Sequence, residues 1–189
     1  KEVSDYILSD GRFMEYKYTE TFEKEICKFL NVKNSYTVSN STLGLSIALL
    51  ALGVKPGDVV LVPNLTMIAT QFAIQLIGAK PVFIDINENN LCMDIYKAKK
   101  YIENNTVKAV IYVTLNGRSY GIEELQEFYD FCEGYKIGII EDNAQSFGSK
   151  RNDGNFISCP KNFIGSFSFG MPKLITTGGI GAVLVTNNE

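Results

Sequence analysis

V-K-A-V-I-Y-V-T-L-N-G-R-S-Y-G-I-E-E-L-Q-E-F-Y-D-F-C-E-G-Y-K-I-G-I-I-E-D, residues 107–142, decides the fold. Val107 to Thr114 is a long apolar run and predicts a strand. Residues 121–133 predict a helix. Ile137 to Ile140 predict a second strand, which ends on Glu141 and Asp142. Neither strand alternates polar with apolar residues. Strands that are apolar throughout belong to a sheet covered on both faces, and such sheets are mostly parallel.

The same alternation extends in both directions. In residues 19–31, Phe22, Ile26 and Phe29 recur at helical spacing with Leu30 beside them; Thr19 is the expected N-cap and Asn31 the expected stop. Residues 35–39 predict a short strand. Asn40-Ser41-Thr42 then opens an apolar helix, L-G-L-S-I-A-L-L-A-L, ended by Gly53. Lys55-Pro56-Gly57-Asp58 is a turn by composition, and Val59 to Val62 a buried strand closed by Pro63. A helix over about 67–77, ended at Gly78, precedes a strand from Pro81 to Asp85 and a charged helix over about 93–104. Residues 166–169 and 180–186 predict two further strands. The reading is an α/β protein with a mainly parallel sheet, in which ligands bind at the carboxyl ends of the strands. With 189 residues and no repeat or internal linker, the chain is expected to form a single domain over 1–189, or most of one lobe of a larger enzyme. It begins without Met and stops at T-N-N-E straight after a strand-like run, so both ends read as cut.

Composition removes several classes of function. The net charge is −3, and the densest basic run is Lys97-Ala98-Lys99-Lys100, so nucleic acid is not expected as a partner. There is no histidine, which removes Ser-His-Asp and Cys-His hydrolases and His-ligated zinc. Cys27, Cys92, Cys132 and Cys159 are far apart and form no C-x-x-C, so reduced, buried thiols and no metal site are expected. Residues 1–15 lack the apolar centre of a signal peptide, and no apolar run reaches membrane-spanning length. The expectation is a soluble, cytoplasmic protein without a membrane partner.

Three polar clusters follow strand-like runs. Ser39-Asn40-Ser41-Thr42 sits where a helix begins. It reads either as a phosphate cradle or as plain capping by Ser41 or Thr42. Glu141-Asp142-Asn143-Ala144-Gln145-Ser146 reads either as a strand-end carboxylate aimed into a crevice or as a polar loop capped by Asp142. In G-S-F-S-F-G-M-P-K-L-I-T-T-G-G-I-G, residues 165–181, Ser166 and Ser168 alternate with Phe167 and Phe169 and share one face of a strand. Lys173 follows, either as a solvated loop lysine or as an amine held in a pocket. Taken together and in this order, the clusters match the needs of pyridoxal phosphate. Its phosphate needs N–H and hydroxyl donors, its pyridine nitrogen a carboxylate, and its aldehyde a lysine for a Schiff base. At a pKa near 10.4, roughly one lysine in a few thousand is neutral at pH 7, so such a site must depress it. Met171 and Leu174 are the expected apolar surroundings.

V-S-N-S-T-L-G-L, A-L-L-A-L-G-V-K-P-G-D-V-V-L-V-P, G-A-K-P-V-F-I-D-I, I-I-E-D-N-A-Q-S-F-G and S-F-S-F-G-M-P-K-L-I-T-T-G-G come in one order along the chain. In that order the chain resembles the DegT/DnrJ/StrS family of pyridoxal-phosphate-dependent nucleotide-sugar aminotransferases, over residues 1–189. The resemblance implies the aspartate-aminotransferase type of fold (fold type I): a three-layer α/β/α large domain with a mixed, mainly parallel sheet. The family's C-terminal small domain has no counterpart in this chain. It implies Lys173 as the catalytic Schiff-base lysine and proton shuttle, Asp142 as partner of the pyridine nitrogen, and Gln145 beside the cofactor ring. Thr42 and Ser168 match phosphate contacts, assisted by the N–H of Leu43. Met67 stands where many relatives carry the aromatic that stacks on the ring. Arg118, in a family loop near the active site, is a candidate substrate contact against the plainer reading of a solvated arginine.

The implied reaction is transamination from glutamate to a keto-deoxysugar carried on a nucleotide, by a homodimer, in surface-polysaccharide (such as lipopolysaccharide) or natural-product sugar biosynthesis. The alternatives are a catalytically incompetent fragment, a non-enzymatic regulatory relative of the same fold, and a pyridoxal-phosphate-dependent sugar dehydratase. The dehydratase branch carries histidine where this chain has Lys173. Further departures from the family pattern are Ser41 for glycine, Gly44 for alanine, and Ile180 within the glycine run.

Overall fold

The computed structural model describes residues 5, 17–158 and 163–188. Cys159 and most of the N-terminal segment 1–15 lie outside the described residues. The elements are α1 (Lys17–Leu30), β1 (Asn34–Val38), α2 (Ser41–Ala51), β2 (Val59–Pro63), α3 (Ile68–Leu76), β3 (Lys80–Ile84), α4 (Ile95–Asn104), β4 (Ala109–Val113), α5 (Ile122–Gly134), β5 (Gly138–Asp142), β6 (Ile164–Ser168) and β7 (Ala182–Thr186). Each predicted element is present within one to three residues of its expected ends. Thr19 is a correction: it lies inside α1, not at its cap. Asn31 does stop that helix. It takes φ 53°, and the Val32 N–H reaches back to the Cys27 carbonyl at 3.0 Å.

The strands form one sheet in the order β1-β7-β6-β5-β4-β2-β3. From β6 to β3 all pairings are parallel, and β7 runs against both its neighbours. The sheet is therefore mixed and mainly parallel, as the apolar strands require. Alternate residues point to opposite faces. Val60 and Val62 of β2, Ile111 and Val113 of β4, and Ile140 of β5 pack under α2 and α3 with Leu45, Leu49 and Ile74. Val110, Tyr112 and Ile139 face the other way, under α4 and α5 with Ile102, Leu125 and Phe128. Phe167, Phe169, Val183 and Val185 of the β6–β7 region pack on Ile26 and Leu30 of α1. The result is helix, sheet, helix. Fully burying each such side chain stabilises by about 2 kcal/mol.

The same alternation splits the two acids that end β5. Glu141 faces α5 and is fully buried, where it accepts hydrogen bonds from Tyr129 Oη and, at 2.5 Å, from Arg151. Asp142 faces the opposite side, toward α3. Cys92 and Cys132 are free and buried, and burial pushes the Cys132 thiol up to about 12. Cys27 is only half-buried, because it lies where α1 meets solvent.

Candidate active site

At the carboxyl ends of β2, β4, β5 and β6 lies a cavity of about 270 Å³. Thr42, Met67, Asp142, Gln145, Ser168 and Lys173 all line it. A second cavity of about 380 Å³ shares Gln145, Ser168 and Lys173 and extends to Asn116, Phe147 and Ile175. Residues up to 133 positions apart in the sequence thus meet at one end of the sheet, because parallel strands deliver their C-terminal loops to the same side.

One wall is the start of α2. Asn40, not Ser41 or Thr42, caps this helix: its Oδ1 accepts from the Leu43 N–H at 3.0 Å. The expected cofactor contact through the Leu43 N–H therefore requires that donor to leave its cap. The Leu43 side chain points to solvent instead of into the cavity. Thr42 lines the cavity at the positive end of the helix dipole. The Ser41 hydroxyl meets Ser166 Oγ at 3.0 Å and pins the helix start to β6. Gly44, one turn in, lies so close to the sheet that a Cβ there would sit 3.1 Å from Val38 Cγ2 and 3.3 Å from Leu184 Cδ2. The two departures from the family pattern are therefore joined: Ser41 adds a hydrogen bond to the sheet, and Gly44 lets the helix approach it.

The floor is Asp142, which is 5% exposed. Its Oδ2 accepts from the Thr70 hydroxyl at 2.9 Å and its Oδ1 from the Ala144 N–H at 3.2 Å. Burial pushes this carboxyl above the usual range, against the opposing pull of Thr70, the Ala144 N–H and the positive charge of Lys173. The turn beyond β5 is held by buried polar contacts. Thr114 Oγ1 lies 2.8 Å from Asn143 Oδ1 and 2.7 Å from Ser146 Oγ, and Asn143 N–H donates to the Ser166 carbonyl at 2.8 Å. Gln145 on this turn accepts from the Asn116 N–H at 3.1 Å through Oε1, which leaves its NH2 group as the donor end.

The opposite wall is the loop after β6. Lys173 is half-buried, and its Nζ makes no hydrogen bond or ion pair among the described residues. Its backbone is fixed by Lys173 N–H to the Gly170 carbonyl at 3.0 Å, and the loop by Met171 N–H to Gly179 and Thr177 N–H to Phe169. Met171 and Leu174 are corrections: at 71% and 92% exposure they do not shield the amine, although Leu174 borders the second cavity beside Lys173. Ile180 is also exposed, so no packing selects it. A Cβ on Gly181, by contrast, would lie 2.7 Å from Thr177 Oγ1. Arg118 is exposed and lines neither cavity; its carbonyl accepts from the buried Cys92 thiol at 3.4 Å.

Sequence reasoning missed Thr70, and it gave the α2 cap to Ser41 or Thr42 where Asn40 holds it. Thr66 and Thr70, four residues apart at the start of an apolar helix, were the available signal for the first. The donor set fits a phosphorylated aldehyde with a basic ring nitrogen: hydroxyls and a helix start for the phosphate, a buried carboxylate for the nitrogen, an amine for the carbonyl.

The family model for the DegT/DnrJ/EryC1/StrS aminotransferases matches residues 1–189. The chain belongs to the DegT/DnrJ/EryC1/StrS aminotransferase family. Among the family's curated members it is 35% identical over 192 residues to a GDP-perosamine synthase of Vibrio cholerae, covering 100% of this chain and 50% of that protein. It is 38% identical over 186 residues to a GDP-perosamine synthase of Escherichia coli O157:H7, covering 98% of this chain and 48% of that protein. The chain thus spans about half the length of these relatives. Solved structures agree in fold. S. venezuelae DesV in complex with a ketimine intermediate matches with a TM-score of 0.87 and 30% identity, over 97% of this chain and 48% of that one. NtdA from Bacillus subtilis with bound cofactor PMP matches at 0.86 and 28%, over 100% of this chain and 41% of that one.

Proposed function

We propose that the protein containing this chain is a pyridoxal-phosphate-dependent aminotransferase that moves an amino group from glutamate to a keto-deoxysugar carried on a nucleotide. The observation that carries this reading is that Lys173, Asp142, Thr42 at the start of α2 and Ser168 at the end of β6 all line one cavity. Its similarity to GDP-perosamine synthases supports a nucleotide-linked sugar as acceptor.

Each residue then has a task. Thr42 and Ser168 hold the phosphate. Asp142 would pair with the ring nitrogen, Gln145 would offer its NH2 donors, and the Met67 thioether would supply an apolar contact. When bound, the cofactor supplies a carbonyl for amine exchange and an electron-withdrawing ring. Lys173 would hold the cofactor through its amine, and that amine, with no other partner among the described residues, is the group placed to move a proton at the substrate carbon.

Lys173 also weighs against the dehydratase branch, which carries histidine there. Leu43, Ile47 and Leu50 on α2, with Ile68, Phe72 and Leu76 on the neighbouring α3, are exposed apolar side chains on two adjoining helix faces. This apolar surface supports a homodimer.

The test is the visible spectrum of the full-length protein with added pyridoxal phosphate. A borohydride-reducible band that is lost in Lys173→Ala and bleached by glutamate is expected. No such band in the full-length protein rejects the reading. A band that glutamate leaves untouched points to the dehydratase.

A further inference from the structure

Asp142 is buried beneath the cavity, and its two oxygens have different partners. Oδ1 takes a backbone N–H, which no side-chain change can remove. Oδ2 takes the hydroxyl of Thr70, from a different element 72 residues away. Thr70 is itself buried, at 1% exposure, and lies 2.9 Å from Thr66 Oγ1. An ionised carboxylate only accepts, so the single Thr70 proton is committed to Asp142. Thr66 must then donate to Thr70. The two hydroxyls form a directed chain from the half-buried Thr66 to the carboxylate, each bond polarising the next. The chain also brackets Met67: Thr66 precedes it, and the Thr70 N–H donates to the Met67 carbonyl at 3.0 Å.

We propose that Thr70, backed by Thr66, is the positioning residue that fixes the Asp142 carboxylate at the cavity floor. Thr66 and Thr70 also line the cavity, but the one hydroxyl proton of Thr70 points to Asp142, so its effect on the site runs through that carboxylate. The groups that face Asp142 are Thr70 from α3, the Ala144 N–H from the turn after β5, and Lys173 from the loop after β6, of which Lys173 alone is charged. Without the hydroxyl, Oδ2 is a buried acceptor with no donor, and the carboxylate is both freer to rotate and easier to protonate. This rests on the proposed cofactor only for what Asp142 meets in the cavity.

The experiment uses the full-length protein with Thr70→Val, which keeps the shape and removes the hydroxyl, and Thr70→Ser, which keeps the hydroxyl. In cofactor-free protein, the carbon-13 carboxylate titration of Asp142, assigned by its loss in Asp142→Asn, is expected to move to higher pH in Thr70→Val. It stays near wild type in Thr70→Ser. The dissociation constant of pyridoxal phosphate is expected to rise by about tenfold in Thr70→Val and by less than about threefold in Thr70→Ser. A Thr70→Val protein that titrates and binds as wild type overturns the proposal, as does a Thr70→Ser protein as impaired as Thr70→Val. If wild type binds no pyridoxal phosphate through Lys173, the proposed function fails, and the carboxylate titration still decides the role of Thr70.

Discussion

Asp142 carries opposite demands on stability and on binding. Burial raises its carboxyl above the ordinary range, so the folded cofactor-free protein holds that proton more tightly than the unfolded chain. Stability tied to this group is therefore greatest at acid pH and falls as pH rises from the ordinary carboxylate range through the raised value. Asp142→Asn removes the charge and with it this slope. The cofactor-free variant is expected to be more stable than wild type at pH 7, by a margin that closes as pH falls below the ordinary carboxylate range. Urea unfolding at several pH values checks it; equal pH slopes in the two proteins would refute it. The same variant is expected to lose cofactor binding. Asp142 and Lys173 stand out in the sequence because their residue types suit the chemistry. Thr70 does not, because a threonine in an apolar helix reads as core until its partner is in view.

At the scale of elements, the site depends on how two loops lock together. Gly117, in the 3-10 turn Leu115–Gly117 after β4, has φ 77°. A Cβ on it would lie 2.5 Å from Ser149 Oγ in the segment after β5. The neighbouring Asn116, itself at φ 53°, gives the N–H that orients Gln145. Gly117→Ala is thus expected to cost about 2 kcal/mol or more, part from the left-handed backbone and part from the clash. Adding Ser149→Gly should restore the clash component only, as read by chemical denaturation. A Gly117→Ala protein as stable as wild type would show that the loops yield freely. Asn116-Gly117 is a turn-forming pair, but its docking on Ser149 spans two loops and leaves no local pattern.

At the scale of the whole molecule, α2 and α3 cover the sheet with one face and leave another apolar face outward. If a second copy covers that face, two charges placed on it should separate the copies. Ile47→Glu with Phe72→Glu is expected to convert a dimer to a monomer in sedimentation velocity of the full-length protein, with a loss of at least about tenfold in dimer affinity. An unchanged dimer would place the interface elsewhere.

The sequence by itself determined the order and type of the elements, since apolar runs and helical periodicity are local properties of 5 to 14 residues. It also determined the family, and it singled out polar residues at the strand ends that line one cavity. Strand order was decided only in three dimensions: β7, last in the chain, runs antiparallel between β1 and β6, a placement no local pattern encodes. So were the Asn40 cap, the exposed Met171 and Leu174, and the Thr66–Thr70–Asp142 chain. Hydrogen bonding and burial depend on what lies across space, and the residues that meet at this cavity are brought together by the sheet, not by their spacing.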